Sequence, residues 1–210
     1  MLITGLERQP RRRRVSLFVD GRFALALATD LAAEKGLHVG MNVDTAQLQA
    51  LRAEDERHTA YQSALRLLSY RPRSEREMRA RLRRHSVDAA VIEETVARLR
   101  QAHYLDDAAF AQFWRESRQS LSPRSRRLIR SELLSKGVDA DTAGATVEGV
   151  DDDEAAYRAA SKRLKALAGS DYDVFRQRLG GFLTRRGFSY DVARRTIERC
   201  WSESGGGEPS

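Results

Sequence analysis

Three stretches of the chain, Met78-x-x-x-Leu82-x-x-x-x-Val87-Asp88, Ile129-x-x-x-Leu133-x-x-x-x-Val138-Asp139 and Leu179-x-x-x-Leu183-x-x-x-x-Phe188-Ser189, align without a gap. The match runs on through Val96, Val147 and Ile197 and closes at Leu99, Val150 and Cys200, at offsets of 51 and 50 residues. Self-similarity at a fixed period of this length signals a repeat architecture. Within each stretch the first two apolar residues stand at i and i+4, on one face of a helix. Gly137 and Gly187 follow where a left-handed residue ends a helix. Ser86 holds that place in the first copy, so its turn is built differently or carries strain. Asp88, Asp139 and Ser189 then stand where a helix N-cap belongs. The next helix faces inward through Ile92, Val96 and Leu99 in copy one and through Ala193, Ile197 and Cys200 in copy three.

Each copy has an earlier helix, expected to open near Tyr61, Phe110 and Tyr157. Ala64/Leu68, Phe113/Ser117 and Ala160/Leu164 carry its inward stripe. Pro72 stops the first of these helices, and Ser74 with Glu77 forms a capping box for the next. Ser122-Pro123 is expected to do the same in copy two, and Asp171 or Asp173 in copy three. Gly180-Gly181 inside the second helix of copy three reads either as a close packing contact or as a hinge.

Residues 1–58 stand apart. Arg13–Val19 and Arg22–Leu27 flank Asp20-Gly21, the strongest short hairpin signal, because both turn positions need positive φ. Val15, Leu17 and Val19 fall on one face, and Phe23, Leu25 and Leu27 alternate likewise. Thr29 or Asp30 is expected to cap a short helix ending at Gly36, Val39–Val43 to form a third strand, and Asp44 or Thr45 to cap a helix through Gln47, Leu48 and Leu51. The Arg11–Arg14 run reads as a solvated lead-in to an edge strand, or as an arm touching an anion.

The expected fold is therefore mainly α: three tandem three-helix repeats in an elongated curved array, preceded by a small N-terminal β-hairpin and helix. The expected divisions are 1–58 for the extension, 59–105, 106–150 and 151–201 for the repeats, and 202–210 for a flexible tail.

Composition narrows the function. The chain has 210 residues, 41% hydrophobic and only 7% aromatic, which suits slim packed helices better than a large β-core. Cys200 is the sole cysteine and falls on an apolar stripe, which reads as core in a reducing compartment. With no secretory signal pattern, a cytoplasmic location is expected. There is no P-loop, no Gly-rich dinucleotide turn and no cysteine pair for zinc. His38, His58, His85 and His103 have no i+4 histidine partner. Asp106-Asp107 and Asp151–Glu154 precede helices, as N-caps do. No catalytic residue, metal or cofactor is expected.

Formal net charge is +7. Residues 59–105 carry ten Lys/Arg against five Asp/Glu, while the next two repeats are near balance. The candidate contact residues are Arg71, Arg73, Arg76, Arg79, Arg83 and Arg84 in copy one, with Arg76, Arg79 and Arg83 on one helix face, and Arg124, Arg126, Arg127 and Arg130 in copy two. Each can equally be part of a solvated basic face. Few aromatics interleave with them, so base stacking has little support.

The residues also resemble a known family. Arg71-Pro72-Arg73-Ser74-Glu75-x-Glu77-Met78, Tyr104-Leu105-Asp106-Asp107-x-x-Phe110-Ala111 and Ile129-Arg130-Ser131-Glu132-Leu133-x-x-Lys136-Gly137-Val138 are similar to motifs of RecX, the regulatory protein of the bacterial RecA recombinase. Val19-Asp20-Gly21-x-Phe23-Ala24 and Gly36-Leu37-x-Val39-Gly40 resemble the β-containing extension of longer members. The resemblance spans about residues 2–201. Ser125 and Ser86 depart from it, each where glycine is usual. It implies a non-enzymatic protein, monomeric and not membrane-bound, that binds RecA and its filament on single-stranded DNA and lowers ATPase, strand-exchange and co-protease activity. From the arginine clusters themselves, the alternative is direct binding of single- or double-stranded DNA through helix-turn-helix-like repeats.

Overall fold

The computed structural model describes residues 1–204. The chain divides into two compact units, Met1–Leu105 and the part from Asp106 onward.

The first unit opens with an antiparallel sheet of three strands in the order β1 (Ile3–Arg8), β2 (Arg14–Val19), β3 (Arg22–Ala28). The turn between β2 and β3 is as read: Asp20 has φ +48° and Gly21 φ +79°. Val15, Leu17 and Val19 point into the core. Phe23 does not, and is 60% exposed. The register explains why: Leu17 pairs with Leu25 but Phe18 with Phe23, so Ala24 is an extra residue. A bulge of this kind moves the side chain beyond it to the opposite face. Phe23 therefore lies edge-on to Phe18, with ring centroids 6.0 Å apart.

Two strand expectations are corrected. β1 was not legible, because Gly5 and a second register shift near it break the alternation. The expected strand Val39–Val43 is a turn at Gly40, which has φ +92°, with one isolated bridge between Leu2 and Asn42. Its backbone still covers the start of β1, through Gly40 N–H to the Ile3 carbonyl and Val43 N–H to the Met1 carbonyl, both 2.9 Å. The Arg11–Arg14 run leads into the central strand, not an edge strand.

Helix α1 (Thr29–Glu34) has no side-chain cap from Thr29 or Asp30, since Ala28 is the N-cap residue. The Ala28 N–H goes instead to Asp55 Oδ1 at 2.7 Å. Helix α2 (Thr45–Tyr70) starts with a complete capping box between Asp44 and Gln47. The helix expected to open near Tyr61 is thus the distal part of this longer one. Asp55, 7% exposed, binds the sheet to it: its second oxygen accepts from Arg14 at 2.6 Å.

α2 joins α3 (Glu75–Arg83) and α4 (Ala89–Gln101) as the first three-helix repeat. Their core holds Ala64, Met78, Leu82, Ile92, Val96, Leu99 and Leu105. The second repeat is α5 (Asp107–Leu121), α6 (Arg126–Ser135) and α7 (Ala140–Val147), around Phe110, Ala111, Ile129, Leu133, Val138, Ala143 and Val147. The third is α8 (Asp152–Leu164), a 3-10 turn over Lys165–Leu167, α9 (Tyr172–Arg185) and α10 (Tyr190–Glu203). α10 runs two residues past the expected start of the tail, and residues 205–210 lie outside the described residues. Burying each large aliphatic side chain contributes about 1.5–3 kcal/mol.

The caps mostly fall where the repeat pattern puts them. Asp88, Asp106, Asp139, Asp151, Asp171 and Ser189 each accept from a backbone N–H one turn in. In copy two the cap is Ser125, not Ser122: its hydroxyl accepts from Leu128 N–H, while Ser122 ends α5. Ser86 has φ +56°, so the first copy holds a serine in the left-handed conformation that glycine takes at Gly137 and Gly187. Within the second unit, Gly187 also lies against the α5–α6 turn, where Ser125 N–H donates to the Arg186 carbonyl at 3.1 Å. A Cβ at Gly187 would sit 2.6 Å from both Leu128 Cβ and Ser125 Oγ. A Cβ at Gly180 would meet only Ile197 Cδ1, at an ordinary contact distance of 3.5 Å, and α9 runs unbroken through Gly180 and Gly181. Cys200 is fully buried, which pushes its thiol up to about 11.

Gly187→Ala should cost about 2–4 kcal/mol, combining left-handed strain with overpacking. Gly169→Ala, with φ +78° and open space around it, should cost only about 1–2 kcal/mol. Urea unfolding of both variants checks the difference; equal losses would remove the close-approach argument.

Candidate functional site

The ten candidate arginines separate into two kinds. In repeat one, Arg71 donates to Glu77 at 2.9 Å and to the Pro72 carbonyl at 2.7 Å. Arg73 is 9% exposed and donates to the Leu67 carbonyl, closing the end of α2. Burial, and then the charges of Arg71 and Arg81, lower its pKa. Arg79 is held on both sides, by Glu93 of α4 at 3.0 Å and by Glu75 at 2.9 Å. Burial works against its charge, but these carboxylates outweigh it and raise the pKa. Arg76, Arg83 and Arg84 are exposed and form no ion pair among the described residues. The shared face of Arg76, Arg79 and Arg83 is therefore interrupted by an internally neutralised member.

In repeat two, Arg124 belongs to the framework. Its partner is Glu132 of α6, whose side chain is 15% exposed. Glu132 also accepts from Trp114 Nε1 at 2.7 Å and from Arg118 Nε at 2.8 Å. Arg118 and Lys136 each lie 4.0 Å from the Trp114 ring centroid. Burial lowers the pKa of both Arg118 and Arg124, and the charges of Arg118 and then Arg186 add to the effect at Arg124. Trp114, Arg118 and Arg124 thus converge on one carboxylate, with Lys136 over the face of the indole.

Arg126, Arg127 and Arg130 differ. All three are exposed, and none is ion-paired among the described residues. They line one concavity of about 560 Å³ with Gly144, Val147, Glu148 and Asp152. Asp152 is engaged with the backbone there, accepting from Arg126 N–H at 2.7 Å. The structure thus brings three of the ten candidates into one place and assigns Arg71, Arg73, Arg79 and Arg124 to internal bonds.

The pairing of Arg79 with Glu93 was missed from sequence, because the two residues lie on different helices and no helical spacing marks the contact. No group of described residues is arranged to hold a metal ion, and no described helix is long and apolar enough to cross a membrane.

Family descriptions cover most of the chain. Residues 1–44 match the regulatory protein RecX N-terminal domain. Residues 60–99, 106–146 and 151–197 match the first, second and third three-helix domains of RecX. The chain is 32% identical over 167 residues to regulatory protein RecX of Streptomyces coelicolor, covering 77% of this chain and 89% of that one. It is 28% identical over 206 residues to the Bacillus velezensis protein of the same name, covering 96% and 78%. Among solved structures, a crystal structure of regulatory protein RecX superposes with a TM-score of 0.63 at 24% identity, over 94% of this chain and 98% of that one. RecX from Lactobacillus salivarius gives 0.57 at 23% identity, over 70% and 97%.

Glu132→Ala should destabilise the protein by about 2–3 kcal/mol, since it leaves partly buried arginines and an indole N–H without their acceptor. A urea midpoint followed by tryptophan fluorescence tests this, and a loss below about 0.5 kcal/mol would show the network to be a solvated surface cluster.

Proposed function

Because the chain belongs to the RecX family of regulatory proteins, we propose that it is a negative regulator of RecA. It binds the RecA filament on single-stranded DNA and lowers ATPase, strand-exchange and co-protease activity, tempering recombinational repair and the SOS response. Family membership carries this reading: the matched domains account for the N-terminal sheet and all three helical repeats. Its relatives are named as regulatory proteins, in keeping with action by binding rather than by catalysis; the proposal takes the protein as a cytoplasmic monomer. Lying in the helical groove of the filament, it would bridge neighbouring RecA protomers and hinder the subunit motions that accompany ATP turnover.

A second reading is favoured by the three unpaired arginines of repeat two: direct contact with DNA, using the repeats as helix-turn-helix-like modules. The two are compatible, since a filament groove presents DNA as well as protein. Exposed guanidinium groups without internal partners are free to neutralise phosphates.

RecA ATPase on single-stranded DNA, measured with increasing amounts of this protein, tests the leading reading. The rate should fall steeply at or below stoichiometric addition. An unchanged rate at stoichiometric protein would sink it.

A further inference from the structure

The repeats allow a comparison that a single domain would not. Glu75, Arg76, Arg79 and Glu93 of repeat one stand, at the 51-residue offset, where repeat two has Arg126, Arg127, Arg130 and Gly144. In repeat one a carboxylate from the third helix reaches the arginine of the second, Glu93 to Arg79, and Glu75 completes the clasp. At those two positions repeat two has an additional arginine and a glycine. The groove between α6 and α7 thus keeps the basic half of the pattern and lacks counterparts of Glu75 and Glu93, the two carboxylates that hold Arg79 in repeat one.

From this we infer that the concavity between α6 and α7 is an oxyanion site, with Arg126, Arg127 and Arg130 as its ligands and the phosphodiester backbone of single-stranded DNA as its occupant. The inference rests on the DNA-contact reading above and deepens it. Three features select this ligand. Guanidinium groups make charge-assisted, frequently bidentate bonds to phosphate oxygens. The lining offers no exposed apolar anchor, since Val147 is 3% exposed and Gly144 has no side chain, whereas protein partners are held chiefly by buried aromatic or apolar anchors. No aromatic lines it, so it follows the backbone rather than stacking bases. Glu148 and Asp152 also line the concavity, but Asp152 accepts from the Arg126 backbone N–H and neither is ion-paired with the three guanidinium groups among the described residues.

Gly144 supplies the decisive variant. A Cβ there meets nothing within 4 Å and its φ is not in the left-handed range. A side chain is therefore accommodated, and removing a helix glycine favours the fold. Gly144→Glu restores the carboxylate that repeat one carries at Glu93 and should occupy Arg130 from within. Gly144→Gln has nearly the same shape without the charge.

The experiment is fluorescence anisotropy of a labelled oligothymidylate with the full chain and no RecA, between about 50 and 200 mM salt. Gly144→Glu should weaken binding about five- to tenfold, while Gly144→Gln stays near wild type. The combined Arg126→Gln, Arg127→Gln and Arg130→Gln variant should lower the magnitude of the log–log salt slope by about 2, the value for three single-strand phosphate contacts. Unchanged binding by Gly144→Glu overturns the site, and so does equal weakening by Glu and Gln. Wild-type binding to polyglutamate but not to oligothymidylate assigns the groove to an acidic protein and overturns the ligand. RecA ATPase inhibition, measured on the same variants, separates the two levels. Inhibition by a wild-type protein that does not bind DNA removes this inference and leaves the RecA reading. Charge-dependent DNA binding without inhibition does the reverse.

Discussion

Each repeat depends on one pair of side chains, the apolar residues at i and i+4 on its second helix. Met78 and Leu82, Ile129 and Leu133, and Leu179 and Leu183 are all fully buried. The second helix is nine residues in α3, ten in α6 and fourteen in α9; at about 15 residues or fewer, such a helix is marginal alone in water. Its two anchors must reach the other two helices at once, which sets its distance from both. The left-handed residue that follows returns the chain so that Val87, Val138 or Phe188 closes the core and the next cap is in place. Changing the spacing of the pair would turn one anchor toward solvent and break all three contacts together.

This constraint explains what could be read from the sequence. Buried positions admit few side chains, so Met, Ile and Leu recur at the fixed period and announce themselves. Caps recur for the same reason: the first N–H groups of a helix need an acceptor, and Asp or Ser supplies it. Ser122-Pro123 marks the end of α5, and the cap of α6 lies two residues beyond the proline, at Ser125. The bulge at Ala24 was invisible because a register shift changes no composition. It turns Phe23, an inward residue by alternation alone, to the outside.

Charge was harder to read, for a different reason. A sum over residues 59–105 locates the positive excess in repeat one, yet a sum does not tell which guanidinium groups already have partners. Arg79 counts toward that excess and is spoken for by Glu75 and Glu93. Arg126, Arg127 and Arg130 sit in a segment of balanced charge, because Asp106, Asp107, Asp139 and Asp141 lie at helix starts, away from them in sequence. Availability of a charge is a property of pairs, and pairs between helices appear only once the packing is known.

The divergence of the three copies follows from the same division between anchors and surface. One position makes this concrete: Arg81, Glu132 and Phe182 are equivalent by the repeat offsets. In copy one the residue is an exposed arginine. In copy two it is the carboxylate that gathers Trp114, Arg118 and Arg124. In copy three it is a ring with Arg163 and Arg186 each within 5 Å of its centroid. The anchors beside it stay fully buried in all three copies. A framework held by two apolar side chains per repeat therefore leaves each outer face free to take its own chemistry, and identical folds need not present identical surfaces to a partner.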